Sequence, residues 1–482
     1  MHPIGLLCLT PLRLAESAAH PLPEAPPRVA AAEGRVTCTE PGLLARDQGL
    51  PGAFSETLET EHFLVAWRPD NADVTEEALA TYTEALENSW RTEIDEQGWR
   101  APDQTDACRI TVLLAAFDES WGDTGGYADV TEAGGVPYIV LNTGWLAYGD
   151  DWTNTLVAHE FNHASQFAYN VFWDEQDWWY WESTAEWVQD GLYDDANTYI
   201  WSLWAYLDTP WRALDSMEGA VQYGHFAFNV HLEEAFDAGT PRAVWDAATA
   251  DTNVRDAVET ATGATFAEVV AGYSSRVAAF DVAERAEWLE ALGYFELDPW
   301  THVNALPVDG GVDGRGAPHE RGQNFLHFQM DTDHGVTFDF NGVPDVEGVP
   351  TAWMVTVAEV GAGGAVTHGW VEADAAGAAS VTFAADPAVT DVYVAVVPFG
   401  EIGERGATYT WSAAAAPAPG ADDTDDTDDT IDGPKKNEDE DEEPVACGCA
   451  TGGDAGAGLG LAGLLLAVGA ARRGRPTPGR SS

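Results

Sequence analysis

The chain has 482 residues, 45% of them hydrophobic and 20 of them Trp, which is too much for one ordinary domain and enough for two with a tail. Its 22 basic and 81 acidic side chains leave a net charge of −59. Nucleic acid is therefore excluded as a partner, because phosphate contacts need basic groups. A surface this acidic fits high solubility, tolerance of divalent cations or salt adaptation.

Residues 1–34 read as a signal peptide with a Pro/Ala-rich lead: Ile4 to Leu9 is apolar, and Ala15 to Ala19 offers a small-residue cleavage site. No Lys or Arg precedes the apolar run, and a misplaced start codon would leave the same pattern. Residues 35–298 form the first predicted domain. It opens with a strand at His62–Trp67 and a helix over 75–93, followed by β-rich runs at 109–115 and Val136–Asn142. Helices are expected over 153–169, Tyr180–Leu192, 220–237 and 242–293. Strands first and helices after give an α+β class.

From 299 to 412 short alternating segments separated by Gly and Asp turns predict an all-β sandwich or jelly roll that closes near Tyr409–Trp411. Residues 413–446 read as an acidic disordered linker. Its Asp422-Asp423-Thr424 repeats suit a solvated, self-repelling spacer better than a calcium site. Of the five Cys, Cys38 and Cys108 are the two within the globular part, and one disulfide between them is expected rather than two separate buried thiols.

The tail, 447–482, has three parts: Cys447-Gly448-Cys449, an apolar run from Ala455 to Ala471, and Arg472, Arg473 and Arg475. The run is just short of a comfortable membrane span, and the basic residues beyond it fit the positive-inside bias. This ending resembles the MYXO-CTERM sorting tails of myxobacterial surface proteins. The resemblance implies membrane anchoring, a sorting protease acting near Cys447 and Cys449, and a cell-surface or outer-membrane location. An ordinary C-terminal anchor is the alternative.

The chemistry is carried by His159-Glu160-Phe161-Asn162-His163, an HExxH motif. On a helix, residues four apart share a face, so both imidazoles reach one Zn2+ while Glu160 stands beside it as general base for a zinc-bound water. A catalytic zinc needs a third protein ligand and an open position. The metzincin continuation fails, since Gln166 and Tyr169 stand where Gly and His are required. Downstream, Glu182 and Glu186 lie one helical turn apart, so one can ligate while the other holds a ligand imidazole.

HExxH, eighteen intervening residues and then Glu-x-x-Ala-Glu-Trp resemble the gluzincin, or peptidase MA, clan of zinc peptidases. The resemblance implies a gluzincin-like catalytic domain in which Tyr138–Asn142 is the edge strand that holds an extended substrate by backbone pairing, Glu182 is the third ligand and Glu186 supports a zinc-bound His. It implies a Tyr or His electrophile on a later helix. Tyr223 in Gln222-Tyr223-Gly224-His225 is the first choice, with His225 and His231 as alternatives. No GAMEN-like exopeptidase motif precedes the HExxH, which favours an endopeptidase acting on a protein or peptide. A catalytically retired binding scaffold and a zinc hydrolase of non-peptide bonds are the competing functions.

Overall fold

The computed structural model describes residues 35–416, apart from 118–123, 132–134, 313, 315 and 331–333. The expectations for a signal segment, for the Asp-rich spacer and for the Cys–apolar–Arg tail lie outside the described residues. Within them no helix is long and apolar enough to cross a membrane. They contain eleven α-helices and four sheets, an α+β arrangement.

The N-terminal sheet consists of β1 (Val36–Thr37), β2 (Glu56–Glu59), β3 (Phe63–Trp67), β4 (Cys108–Ala115), β5 (Gly126–Val130) and β6 (Pro137–Asn142). Its order is β2-β3-β4-β6-β5, with β1 on the start of β4. The β3, β4 and β6 strands run parallel, and β2 and β5 close the sheet antiparallel. A parallel centre needs cover on both faces, and the alternation of β4 supplies it. Ile110, Val112 and Leu114 face helices α2 (Glu76–Ser89) and α3 (Asp150–Gln166). Leu113 and Ala115 turn the other way, towards α1 (Pro41–Asp47). A disulfide joins Cys38 to Cys108 at the head of β4.

The edge strand beside the HExxH helix differs from the expected one. Tyr138–Asn142 lies inside the sheet, paired with β4 on one side and β5 on the other. The edge is β5, whose Gly-Tyr-Ala-Asp-Val sequence carries little β propensity. It is a strand because β6 offers a complete row of hydrogen-bonding groups.

The helices continue as α4 (Trp178–Leu192), α5 (Ile200–Asp208), α6 (Val221–Gly224), α7 (Phe226–Ala235), α8 (Thr240–Ala247), α9 (Val254–Thr262), α10 (Phe266–Ala279) and α11 (Arg285–Phe295). The expected helix over 220–237 is two, broken at His225, and the stretch over 242–293 is four. Ordinary caps make the divisions: Asn253 caps α9, left-handed Gly263 ends it, and Thr265 with Glu268 forms a capping box on α10. The α2 helix runs on into a π-helical segment, Trp90–Glu96.

The C-terminal third adds β7 (Trp300–Val303), β8 (Val308–Val312), β9 (Asn324–Gln329), β10 (Gly335–Gly342), β11 (Asp345–Val346), β12 (Val349–Pro350), β13 (Ala352–Gly361), β14 (Val366–Glu372), β15 (Ala378–Phe383), β16 (Val389–Phe399) and β17 (Tyr409–Ala416). Two sheets, β14-β13-β16-β9-β7 and β15-β10-β17-β8, enclose a core that includes Phe328, Phe338, Phe340, Trp353 and Trp411. Residues 413–416, assigned to the linker on composition, belong to β17 and pair with β10.

The outer face of the larger sheet is not solvated. Phe325, Ala395 and Val397 join the main cluster of the helices, and Ala358 and Val360 meet Ala279 of α10. Ser275 and His368 staple the two layers. The Ser275 hydroxyl donates to the Val357 carbonyl, and His368 bridges Ser275 Oγ and Asp281 at 2.7 Å each. This is a Ser–His–Asp chain, but its hydroxyl is 1% exposed beneath the sheet, which suits a staple and denies a nucleophile its substrate.

Candidate metal centre

Helices α3 and α4 pack side by side and present His159, Glu160, His163 and Glu182 to one cleft. The Nε2 atoms of His159 and His163 are 3.1 Å apart, and Glu182 Oε2 lies 3.2 Å from the first and 3.4 Å from the second. Among the described residues this is the one group of three or more His, Cys, Asp or Glu side chains close enough to hold a metal.

The tautomers follow from the hydrogen bonds behind the rings. Gln166 Nε2 donates to the Trp181 carbonyl, which can only accept, so Gln166 Oε1 must be the atom that receives His163 Nδ1–H at 2.7 Å. Gln189 Oε1 takes the same role for His159 Nδ1 at 3.2 Å. Both Nε2 lone pairs therefore point at each other and at a carboxylate, and three electron-rich atoms converge. That convergence demands positive charge. Burial opposes ionisation of His159, yet Glu182 and Glu186 outweigh it and hold the imidazole up at about 10. A proton answers the demand at one atom, and a divalent ion answers it at all three.

Glu160 sits one residue on from His159 but does not join the triangle. It is 5% exposed, and its Oε2 is without a partner. Burial pushes its carboxyl up, with His159 and His163 opposing. It lies against the β5 edge, where Gly126 is required: a Cβ there would meet Val140 O at 2.9 Å and Glu160 Oε1 at 3.1 Å.

Tyr223 also lines the cleft. Its ring centre is 5.8 Å from that of His159, and its phenol faces Glu182. Burial, with the nearby carboxylates, holds that phenol protonated well above its ordinary range. Gly224 makes this placement possible, since a Cβ there would lie 2.4 Å from Ser202 O on α5. The alternatives point elsewhere. His225 Nδ1 meets Tyr273 and His231 packs against Gly272, both deep in the helical core, and burial lowers each imidazole to about 3.

Glu186 is held by Ser202 Oγ, and its other oxygen lies 3.6 Å from His159 Nδ1, farther than Gln189. Gln166 and Gln189 are the residues that the sequence reading passed over. Gln166 stands three residues beyond His163, at helical spacing from the imidazole it orients, and Gln189 stands seven beyond Glu182 on the same face of α4, from which it reaches across to His159; that spacing is the signal that would have found them. The cleft is about 350 Å³ and is walled by aromatic rings, including Phe167, Trp173, Trp178 and Trp181 on the His163 side.

A family model covers residues 45–400, most of the chain. The chain belongs to DUF6055, a family of unknown function. Comparison with curated proteins finds no match.

Proposed function

We propose that this DUF6055 member is an exported zinc metallopeptidase of gluzincin type, most simply an endopeptidase. The observation that carries the reading is the ligand triangle. Tetrahedral zinc at ordinary bond lengths sets its ligand atoms about 3.3 Å apart, and the three edges here are 3.1, 3.2 and 3.4 Å. Two neutral imidazoles and one carboxylate are the donor set of a catalytic site, which keeps a fourth position for water. A zinc ion so held supplies Lewis acidity that brings a water's pKa towards neutrality. Glu160, free at Oε2 and outside the triangle, accepts that water's proton and later returns it to the leaving amine. Tyr223, neutral at all working pH values, donates its O–H to the developing oxyanion. Among the described residues β5 is the edge of its sheet and lines the cleft, a place from which backbone groups can pair with an extended peptide, and the aromatic walls suit apolar side chains. The Cys38–Cys108 disulfide fits an oxidising compartment outside the cytosol.

Chain purified without chelator is expected to carry about one zinc, the stoichiometry of a three-ligand mononuclear site. Glu182→Ala is expected to lose most of it by elemental analysis. Full occupancy in folded Glu182→Ala would show that the third ligand is misassigned. Tyr223→Phe is expected to lower kcat about 100- to 1,000-fold, the usual cost of losing one oxyanion donor, with KM and zinc content nearly unchanged. A kcat within threefold of wild type removes Tyr223 from that role.

A further inference from the structure

Behind His163 runs a chain of hydrogen bonds that ends on Glu93, in the π-helical segment after α2. His163 Nδ1 donates to Gln166 Oε1 at 2.7 Å, Gln166 Nε2 donates to Asn162 Oδ1 at 2.7 Å, and Asn162 Nδ2 donates to Glu93 Oε2 at 3.0 Å. Gln166, Asn162 and Glu93 are all 0% exposed. Every link donates in the same direction, away from the imidazole.

That direction is set from the Trp181 end. The Trp181 carbonyl accepts from Gln166 Nε2 and fixes the first amide. With that amide fixed, the Asn162 atom it meets must be Oδ1, which leaves Asn162 Nδ2 to donate to Glu93 Oε2. Packing alone gives no reason for a carboxyl here. Among the described residues Glu93 Oε1 has no hydrogen-bond partner and no salt bridge reaches the side chain, and burial pushes its carboxyl well above the usual range. A buried polar group so poorly satisfied calls for a role. Irregular π turns recur at functional sites, and this one brings a carboxyl from the α2 end of the fold to the back of the motif helix.

We infer that Glu93 is a positioning residue for the metal centre, acting through Asn162 and Gln166 to hold the His163 ring with its Nε2 lone pair aimed into the ligand triangle. The inference rests on the metal reading above. Nothing in the HExxH motif calls for it, since Glu93 lies far upstream and touches neither ligand nor substrate.

Glu93→Met tests it in the full chain, because Met fills the same space and offers no comparable acceptor. The change removes the desolvation penalty of the buried carboxyl and leaves Asn162 Nδ2–H without its acceptor, two effects of opposite sign on stability. The chelator-stripped variant should stay folded by circular dichroism, while its zinc Kd, measured by competition with a chromophoric chelator, rises about 10-fold, the lower end of the cost of losing an outer partner. Its Co2+-substituted absorption spectrum should shift. Glu93→Gln, which keeps an accepting oxygen, should return the zinc Kd to within about threefold of wild type. A folded Glu93→Met chain with wild-type zinc Kd and cobalt spectrum overturns the role. Should Glu93→Met fail to fold, Gln166→Met breaks the same chain one link from the imidazole, and wild-type zinc affinity in that folded variant overturns it equally. A wild-type chain that takes up no zinc overturns both this inference and the metal reading, whereas zinc-binding wild type beside an equally tight Glu93→Met overturns this inference alone.

Discussion

Glu160→Gln is expected to lower hydrolysis of a casein-like protein by about 100- to 10,000-fold, the usual worth of a positioned general base, with one zinc still bound. The side chain is placed for that split. It is outside the ligand triangle, its free oxygen is buried in the cleft, and Gly126 leaves it just enough room against β5. Gln keeps the volume and a hydrogen-bonding oxygen but cannot take the water's proton, so the loss falls on kcat rather than KM. The measurement pairs steady-state kinetics with zinc analysis on the same preparation. The same experiment separates the peptidase from both competing functions, since neither a retired scaffold nor a non-peptide hydrolase cleaves casein in either form. Near wild-type hydrolysis by zinc-loaded Glu160→Gln removes Glu160 as the base and the mechanism with it.

Trp245→Ala is expected to cost about 3–5 kcal/mol of folding stability, the range for truncating a fully buried large aromatic. The indole is 0% exposed on α8 and packs against Tyr169, Phe172, Tyr180 and Trp181 with ring centres 5.1–5.8 Å away. Its Nε1–H donates to Thr184 Oγ1 on α4. No neighbour is free to collapse into so large a void, since each belongs to the same interlocked cluster. Trp181 also carries the carbonyl that fixes Gln166, so zinc affinity should fall along with stability. Urea unfolding of the two chains, with zinc affinity measured alongside, decides it. A loss below about 1 kcal/mol would mean that the cluster repacks, contrary to the rigid interior assumed here.

The parts of the site that follow one helix were legible from the sequence. His159 and His163 share a face by spacing alone, with Glu160 beside them, and Glu182 with Glu186 repeats the i, i+4 rule on the next helix. Cys38 and Cys108 are joined as expected. What stayed hidden depends on contacts between distant segments. β5 is a strand only because β6 presents an unpaired edge to it. Glu93 reads as one more acidic residue on a helix until the π turn buries it. The division of 242–293 is a different kind of miss: Asn253, Gly263 and the Thr265–Glu268 box were ordinary cap signals, overridden by a long apolar periodicity that runs through all four helices.

The close seating of α10 on β13 and β16 bears on how the chain may be dissected. A fragment ending at residue 298 would carry Ala278 and Ala279 of α10 on a bare face and would lose Phe325, Ala395 and Val397 from the cluster that also contains Trp181 and Trp245. A C-terminal fragment would bare the matching face of its larger sheet, a flat apolar surface of the kind that drives association. The compositional break near 299 is thus a change of secondary structure and not a seam. The smallest piece with a complete interior is the whole span from Arg35 to Ala416, and swapping its β layer for another would mean redesigning the helix beneath it.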